Sequence, residues 1–267
     1  MKLLNGSELA GFIKERQAKQ VRALRQAHKV APKLVIIRTN TDPVVDSYMK
    51  LKSTYGADIN VDVEVKNIDQ SNAIATIREL NQDDSVHGII VQIPLPDPGQ
   101  TDEILNAVAP AKDVDALGKN AIYDPATPMA INWLLAGYNT DFASKHIVIV
   151  GHGRLVGKPL AKMWRNSNYD VEVVDKSTAD LGKVTAAADI LVAATGVPGL
   201  ITADMVKPNV VIVDAGVATD SNGFVGDVAA EVRELPDITI TPEKGGVGPL
   251  TVSALFDNVI RAALNKT

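Results

Sequence analysis

The chain contains no cysteine, which removes disulfides, a thiolate nucleophile and any cysteine-based zinc site. Histidine is scarce too. The four histidines, His28, His87, His146 and His152, stand at no metal-ligand spacing, so no resident metal is expected. No run of about 18 apolar residues reads as a membrane span. Residues 1–28 carry Glu8 and Glu15 among their basic residues in place of a signal-like apolar stretch, so the reading is a cytoplasmic protein with no membrane partner. Charge of one sign is lacking as well: 27 Lys and Arg against 32 Asp and Glu give a net charge of −5. That balance argues against a general nucleic-acid binder, while an anionic substrate can still find a local basic pocket. Internal repeats of 20 to 50 residues and low-complexity tracts are also missing.

What remains is a chain of 267 residues, 46% hydrophobic and 22% charged, long enough for two domains with sizeable cores. Ser7 is a candidate cap for a helix to about Ala27, with Leu9, Ile13, Val21 and Leu24 as its apolar stripe. The continuous apolar run in residues 33–40 predicts a buried strand, and Asp42-Pro43 supplies an N-cap and an N1 proline for the next helix. Tyr48 and Lys52, four apart, share a face of that helix. Taken alone, a tyrosine packed under a solvated lysine is the commoner arrangement. A strand at 61–65, a Ser71-capped helix and a strand at 87–96 follow, with Pro94 and Pro96 ending the pairing and able to include a cis bond. Gln92 interrupts that last strand. A buried amide there needs hydrogen bonds, either from the protein or from a ligand with polar ring edges.

After a helix at about 101–108, Asp113 and Asp115 lie two apart, on the same side if the loop is extended. They suit the amino and amide donors of a heterocycle, or simply helix caps and solvent. A further helix spans about 127–138, and a domain boundary is expected between Gly118 and Asp141.

Residues 145–164 then read as strand, glycine turn and helix: apolar residues run into Gly151, Gly153 and Gly157. Glycine lets backbone approach a ligand closely, and the free N–H groups at a helix start favour phosphate. The spacing GxGxxxG is weak evidence by itself, but Asp175 stands 24 residues after Gly151, near the distance at which an acid holds the ribose of a dinucleotide. Strands at 171–174, 190–195, 210–213 and 238–241 complete an α/β alternation that predicts a parallel, doubly wound sheet. The GGVGP turn at 245–249 suits contact with a flat ligand or a rigid connector, and a helix from Pro249 to Leu264 closes the pattern.

Four ordered motifs resemble the bifunctional methylenetetrahydrofolate dehydrogenase and methenyltetrahydrofolate cyclohydrolase family, called FolD in bacteria. They are P-x4-Y-x3-K at Pro43, Tyr48 and Lys52, GIIVQIPLP at 88–96, KDVD at 112–115 and GGVGPLT at 245–251, with VGDV at 225–228 in addition. The resemblance covers essentially the whole chain. It implies an α/β protein of two domains: an N-terminal α/β catalytic domain, residues 1–120, completed by the C-terminal helix at 249–267, and a Rossmann-like nucleotide-binding domain with a doubly wound parallel sheet at 121–248. It implies oxidation of 5,10-methylenetetrahydrofolate with NAD(P), hydrolysis of the methenyl product to 10-formyltetrahydrofolate, a place in one-carbon metabolism, tetrahydrofolate derivatives as partners, and a homodimer. By resemblance Tyr48 stacks on the folate ring, Lys52 is the acid/base catalyst, Gln92 orients Lys52, and Asp115 holds the pterin edge. Gly245, Gly246 and Pro249 line the folate site, while Gly151, His152, Gly153, Arg154, Val156, Gly157, Asp175, Lys176, Thr195 and Gly196 hold the coenzyme.

The family turn is usually GRSxxVGxP. Here His152 replaces an arginine that commonly binds the 2′-phosphate of NADP, and Gly153 replaces a serine. Asp175 would repel that phosphate and favour NAD, whereas Lys176, Arg154 or a protonated His152 would compensate. NADP is the expected coenzyme, with NAD as the alternative. A cyclohydrolase alone, a binding paralogue without turnover and an NAD-dependent amino-acid-type dehydrogenase are the competing readings; the last leaves Tyr48, Lys52, Gln92 and Asp115 unexplained.

Overall fold

The computed structural model describes residues 1–41, 43–220 and 223–265; for residues 43–45, 48, 219, 220, 223 and 224 it gives the backbone element without the side chain. In chain order the strands and α-helices are β1 (Lys2–Leu3), α1 (Gly6–Ala23), β2 (Lys33–Arg38), α2 (Pro43–Asp58), β3 (Asp62–Asn67), α3 (Ala73–Gln82), β4 (Gly88–Val91), α4 (Thr101–Asn106) and α5 (Ala126–Gly137). There follow β5 (Ile147–Val150), α6 (Gly157–Asn166), β6 (Val171–Val174), α7 (Leu181–Ala187), β7 (Ile190–Ala193), β8 (Val211–Asp214), β9 (Ala218–Asp220), β10 (Gly223–Val225), β11 (Thr239–Ile240) and α8 (Val247–Leu264). The chain forms two compact units, one of Gly11–Ala126 with Val252–Thr267, the other of Met1–Ala10 with Thr127–Thr251.

The first of these is built on a three-stranded parallel sheet in the order β3-β2-β4. Val35 and Ile37 of the central strand β2 and Ile89 and Val91 of β4 meet Ala73, Ile77 and Leu80 of α3 in a buried core. The spacing of those α3 residues is the helical repeat, so one face is apolar and is covered by the sheet. The second unit carries a six-stranded sheet, β1-β11-β8-β7-β5-β6, with every pairing parallel. Its central strands are buried on both faces, which is why they read as unbroken apolar runs. Because β5 pairs with both β6 and β7, strand order reverses there, and the crevice beyond the carboxyl ends of β5 and β7 is the place where such sheets bind ligands.

Several boundaries differ from the sequence reading. Asn5, not Ser7, caps α1 by accepting the Glu8 N–H at 3.3 Å, and the Ser7 N–H instead donates to the Gly245 carbonyl at 2.9 Å. The Ser71 expectation fails because residues 70–72 form a 3-10 turn, and α3 starts without a side-chain cap. Strand β4 stops at Val91, ahead of a cis Ile93–Pro94 peptide. The Asp42 cap falls outside the described residues. Helix α8 begins at Val247, two residues before Pro249, which sits in its first turn, where a proline costs no backbone donor. α8 is long and apolar enough to cross a membrane, yet 67% of it is buried within the protein, as for a core helix. Residues 1–10, expected in the catalytic domain, join the six-stranded sheet through β1, whose two residues carry no apolar period to announce it.

Candidate active site

Lys52 lies on α2, and its Nζ donates to Gln92 Oε1 at 3.0 Å. Gln92 follows directly on β4, and its Nε2 donates to the Ile93 carbonyl at 2.9 Å. With the amide nitrogen committed to that carbonyl, the oxygen must face Lys52. Burial lowers the Lys52 ammonium below the ordinary lysine value, opposed by the negative charge of Asp115. Asp115 is held above the usual carboxylate range by burial, opposed by Lys52. Each group thus tempers the other's shift, and the set is a lysine and a carboxyl in a poorly hydrated pocket.

The loop bearing Asp115 is fixed by its neighbours. Lys112 is buried, and its Nζ donates to the carbonyls of Leu80 and Asp83, both at 2.7 Å, at the end of α3, where a cation is favoured by the helix dipole. Ile89 donates to the Lys112 carbonyl at 2.8 Å, so residues 112–114 run beside β4. Asp113 turns inward and accepts the Gly118 N–H at 2.8 Å. The two aspartates therefore do different work, although an extended loop would put them on the same side: Asp113 closes a turn and Asp115 feels the lysine charge. Asn258 of α8 donates to the Val114 and Asp124 carbonyls, both at 2.9 Å, tying the C-terminal helix to the same loop. The side chain of Tyr48 falls outside the described residues, although its backbone lies in α2 one turn before Lys52.

In the other unit, the glycine turn joins β5 to α6. Gly151 has φ +114 and its N–H donates to the Val174 carbonyl at 2.7 Å. A Cβ on Gly157 would stand 1.8 Å from the Gly151 carbonyl oxygen, so strand and helix close too tightly for any side chain there. Gly153 is different: a Cβ would meet nothing within 4 Å. Val156 precedes α6 without a side-chain cap; the Lys158 N–H already donates to the Gly153 carbonyl at 3.1 Å and Pro159 has no N–H, so of residues 157–159 it is Gly157 that keeps an N–H for a phosphate. His152, Arg154 and Lys176 are exposed. His152 and Asp175, with Arg165, Val173, Val174 and Thr178, line a cavity of about 310 Å3 at the end of β6. Asp175 accepts the Ser177 N–H at 2.8 Å and the Ser177 hydroxyl; these bonds, with the charge of His152 adding to them, hold its carboxyl below the usual range. Thr195 and Gly196 follow β7, Gly196 with φ +69. This arrangement fits a dinucleotide: a close-packed glycine turn at a helix start and an acid at the tip of the next strand. Gly245, φ +84, and the buried Gly246 pack against the start of α1, where a Cβ on Gly6 would fall 1.8 Å from the Gly246 carbonyl oxygen.

The sequence pattern of the tetrahydrofolate dehydrogenase/cyclohydrolase catalytic domain matches residues 4–115, and that of the corresponding NAD(P)-binding domain matches residues 125–267. The chain belongs to this family. It is 38% identical over 275 residues to the bifunctional protein FolD of Exiguobacterium sibiricum, covering 98% of this chain and 99% of that one. A crystal structure of the bifunctional FolD enzyme of Campylobacter jejuni matches with a TM-score of 0.94 at 34% identity, over the full length of both chains. The Trypanosoma brucei FolD, solved with NADP and an inhibitor, matches with a TM-score of 0.90 at 28% identity, covering 99% and 97% of the two chains. The family membership gives this chain its activity: it is a methylenetetrahydrofolate dehydrogenase and methenyltetrahydrofolate cyclohydrolase with an NAD(P)-binding domain.

Asp214, Asp227 and Arg233, buried or half-buried around the ends of β7 and β8, are not among the residues that the sequence singles out for the site. The VGDV match and the Asp214-Ala215-Gly216 strand end were both visible signals, but neither says which backbone groups a carboxylate will hold.

Proposed function

We propose that Lys52 is the acid/base catalyst of the hydrolytic step and is dispensable for hydride transfer. The observation that carries this is the bond from Nζ to a Gln92 oxygen whose orientation is itself fixed, in a site that disfavours the ammonium. One N–H of a neutral amine serves Gln92, and the lone pair is left for a substrate proton. Water adding to the cationic methenyl carbon must lose a proton; Lys52 takes it and returns it to the ring nitrogen as the carbon–nitrogen bond breaks. Asp115, kept in reach of the lysine's charge, presents an acceptor for the amino and amide donors of the pterin, and Tyr48 supplies a flat face for the ring. Gly245, Gly246 and Pro249 would border the folate.

Hydride transfer asks less of the protein. NAD(P) supplies the hydride acceptor when bound, and the nitrogen lone pairs flanking the methylene carbon stabilise the developing cation, so the chain's task is to position the partners. Gly151 and Gly157 with the start of α6 would hold the pyrophosphate. Gly153, Arg154 and Val156 would border it, and Thr195 and Gly196 the nicotinamide half. The acid in this pocket favours NAD, in place of the NADP expected from the resemblance. An ionised Asp175 in the wall of the His152 cavity accepts ribose hydroxyls and repels a 2′-phosphate. Lys176 would moderate the preference.

The test is Lys52→Met, assayed for methenyl hydrolysis without coenzyme and for methylene oxidation with NAD and with NADP. Hydrolysis should fall by about a hundred-fold or more while hydride transfer persists, since a general base is worth roughly that much. For the unaltered enzyme, kcat/KM should be higher with NAD. Hydrolysis at the normal rate in the variant would remove Lys52 from its role. Light scattering on the same preparation checks the expected homodimer.

A further inference from the structure

Asp227 is fully buried in the unit that carries the glycine turn. Its Oδ2 accepts the backbone N–H of Thr195 and, at 2.9 Å, the Thr195 hydroxyl, which itself accepts the Val197 N–H at 3.1 Å. One carboxylate oxygen thus organises the loop that leaves β7. A second carboxylate does the same for the loop leaving β8: Asp214 Oδ1 accepts from the Gly216 N–H at 3.2 Å and the Asp227 N–H at 3.0 Å. Asp214 Oδ2 accepts from Val228 at 3.2 Å and from Arg233 Nη2 at 3.1 Å.

The two carboxylates interlock through two glycines. A Cβ on Gly216 would fall 2.0 Å from Asp227 Oδ1, and a Cβ on Gly226 would fall 2.0 Å from Asp214 Oδ2. Neither glycine has the left-handed backbone that would itself call for glycine. Each is glycine because the carboxylate of the other segment occupies the space. Asp227 Oδ1 is lodged against Gly216 with no hydrogen-bond partner among the described residues. A buried carboxylate oxygen without a donor opposes folding, so stability alone is a poor reason for an aspartate here.

The position of the lock gives a better one. In a doubly wound sheet the pyrophosphate sits at the first glycine turn and the adenosine end extends over the strand bearing the ribose-binding acid, here β6. The nicotinamide half must then lie over the carboxyl ends of β7 and β8, where both locked loops emerge. We propose that Asp227 is a positioning residue for hydride transfer, acting through Thr195 to hold residues 195–197 in the shape that receives the nicotinamide half, and without a part in methenyl hydrolysis.

Full-length Asp227→Ala, Asp227→Asn and Thr195→Val test this, with coenzyme Kd from protein fluorescence, dehydrogenase kcat and KM, and coenzyme-free methenyl hydrolysis measured beside the unaltered enzyme. Asp227→Ala should raise the coenzyme Kd and KM by about ten-fold or more and leave hydrolysis within about two-fold. Asp227→Asn keeps an acceptor for Thr195 and should restore most of the affinity. Thr195→Val keeps the N–H bond and should show a smaller change in the same direction. Normal coenzyme affinity in Asp227→Ala, or hydrolysis falling in step with oxidation, would overturn the proposal. If Asp227→Ala does not fold, Thr195→Val decides, and an unchanged coenzyme KM there would overturn it.

Discussion

The charge of Asp115 acts on Lys52 in a direction that can be measured. Burial lowers the lysine and the carboxylate raises it, so Asp115→Asn removes the raising influence and lets the lysine fall further. If hydrolysis needs the neutral amine, its rate climbs as pH rises through the lysine value. The acid limb of kcat for methenyl hydrolysis should therefore move to lower pH in Asp115→Asn, even where the maximal rate drops through weaker pterin binding. A limb that stays in place or moves to higher pH would contradict this coupling. Lys52 and Asp115 were singled out by the resemblance of their motifs, since alone they read as a solvated lysine and a loop acid, whereas Gln92 stands out in the sequence as a polar residue in an apolar strand. Asp227 was not, since its partners are a backbone N–H and a hydroxyl 32 residues away. Nor was the inward turn of Asp113, which depends on the backbone of residues 117 and 118.

Helix α2 carries the lysine, and a second residue on it sets where the lysine stands. Tyr55 is buried three residues after Lys52, and its hydroxyl lies 2.8 Å from Gln17 Oε1 and 3.0 Å from Ser253 Oγ, joining α2 to α1 and α8. Burial pushes this hydroxyl up from 10.0 to about 12. Below pH 10 it is protonated in both folded and unfolded chains. Between 10 and about 12 only the unfolded chain ionises, so stability declines across that window. Tyr55→Phe should cost about 1 kcal/mol in a urea titration at neutral pH and should lack this component of the alkaline loss. An identical alkaline decline in the variant would assign it to other groups. At this scale the sequence showed each strand of the two main sheets except β1, through apolar runs bounded by glycine, proline and acids. Helix starts were less legible. Ser71 has the chemistry of a cap, but chain geometry made it part of a 3-10 turn, and Asn5 rather than Ser7 faces the open end of α1.

Neither compact unit is a continuous stretch of chain. The unit boundaries at 10/11 and 251/252 fall inside α1 and α8, so each of these helices has turns in both units. Melting one unit would leave a fragment of helix frayed in the other, and short helices have little stability of their own. Calorimetry should show one unfolding transition, with calorimetric and van't Hoff enthalpies in agreement; two separable transitions would show that the shared helices do not couple the units. The alternation of strands and helices made the two-unit architecture visible in the sequence, whereas a two-residue strand such as β1 is below any periodic signal.

That short strand bears on how the protein is made. The Lys2 and Leu4 N–H groups donate, each at 2.9 Å, to the carbonyls of Ile238 and Ile240. On the ribosome, residues 2–4 emerge long before their partners: 236 residues separate Lys2 from Ile238, and at roughly 5–20 residues per second the wait is on the order of ten to fifty seconds. Through that interval the outer edge of the six-stranded sheet is unfinished and the leading segment has no strand to pair with. Pairing of β1 therefore waits until the last strand of this sheet in chain order has been made.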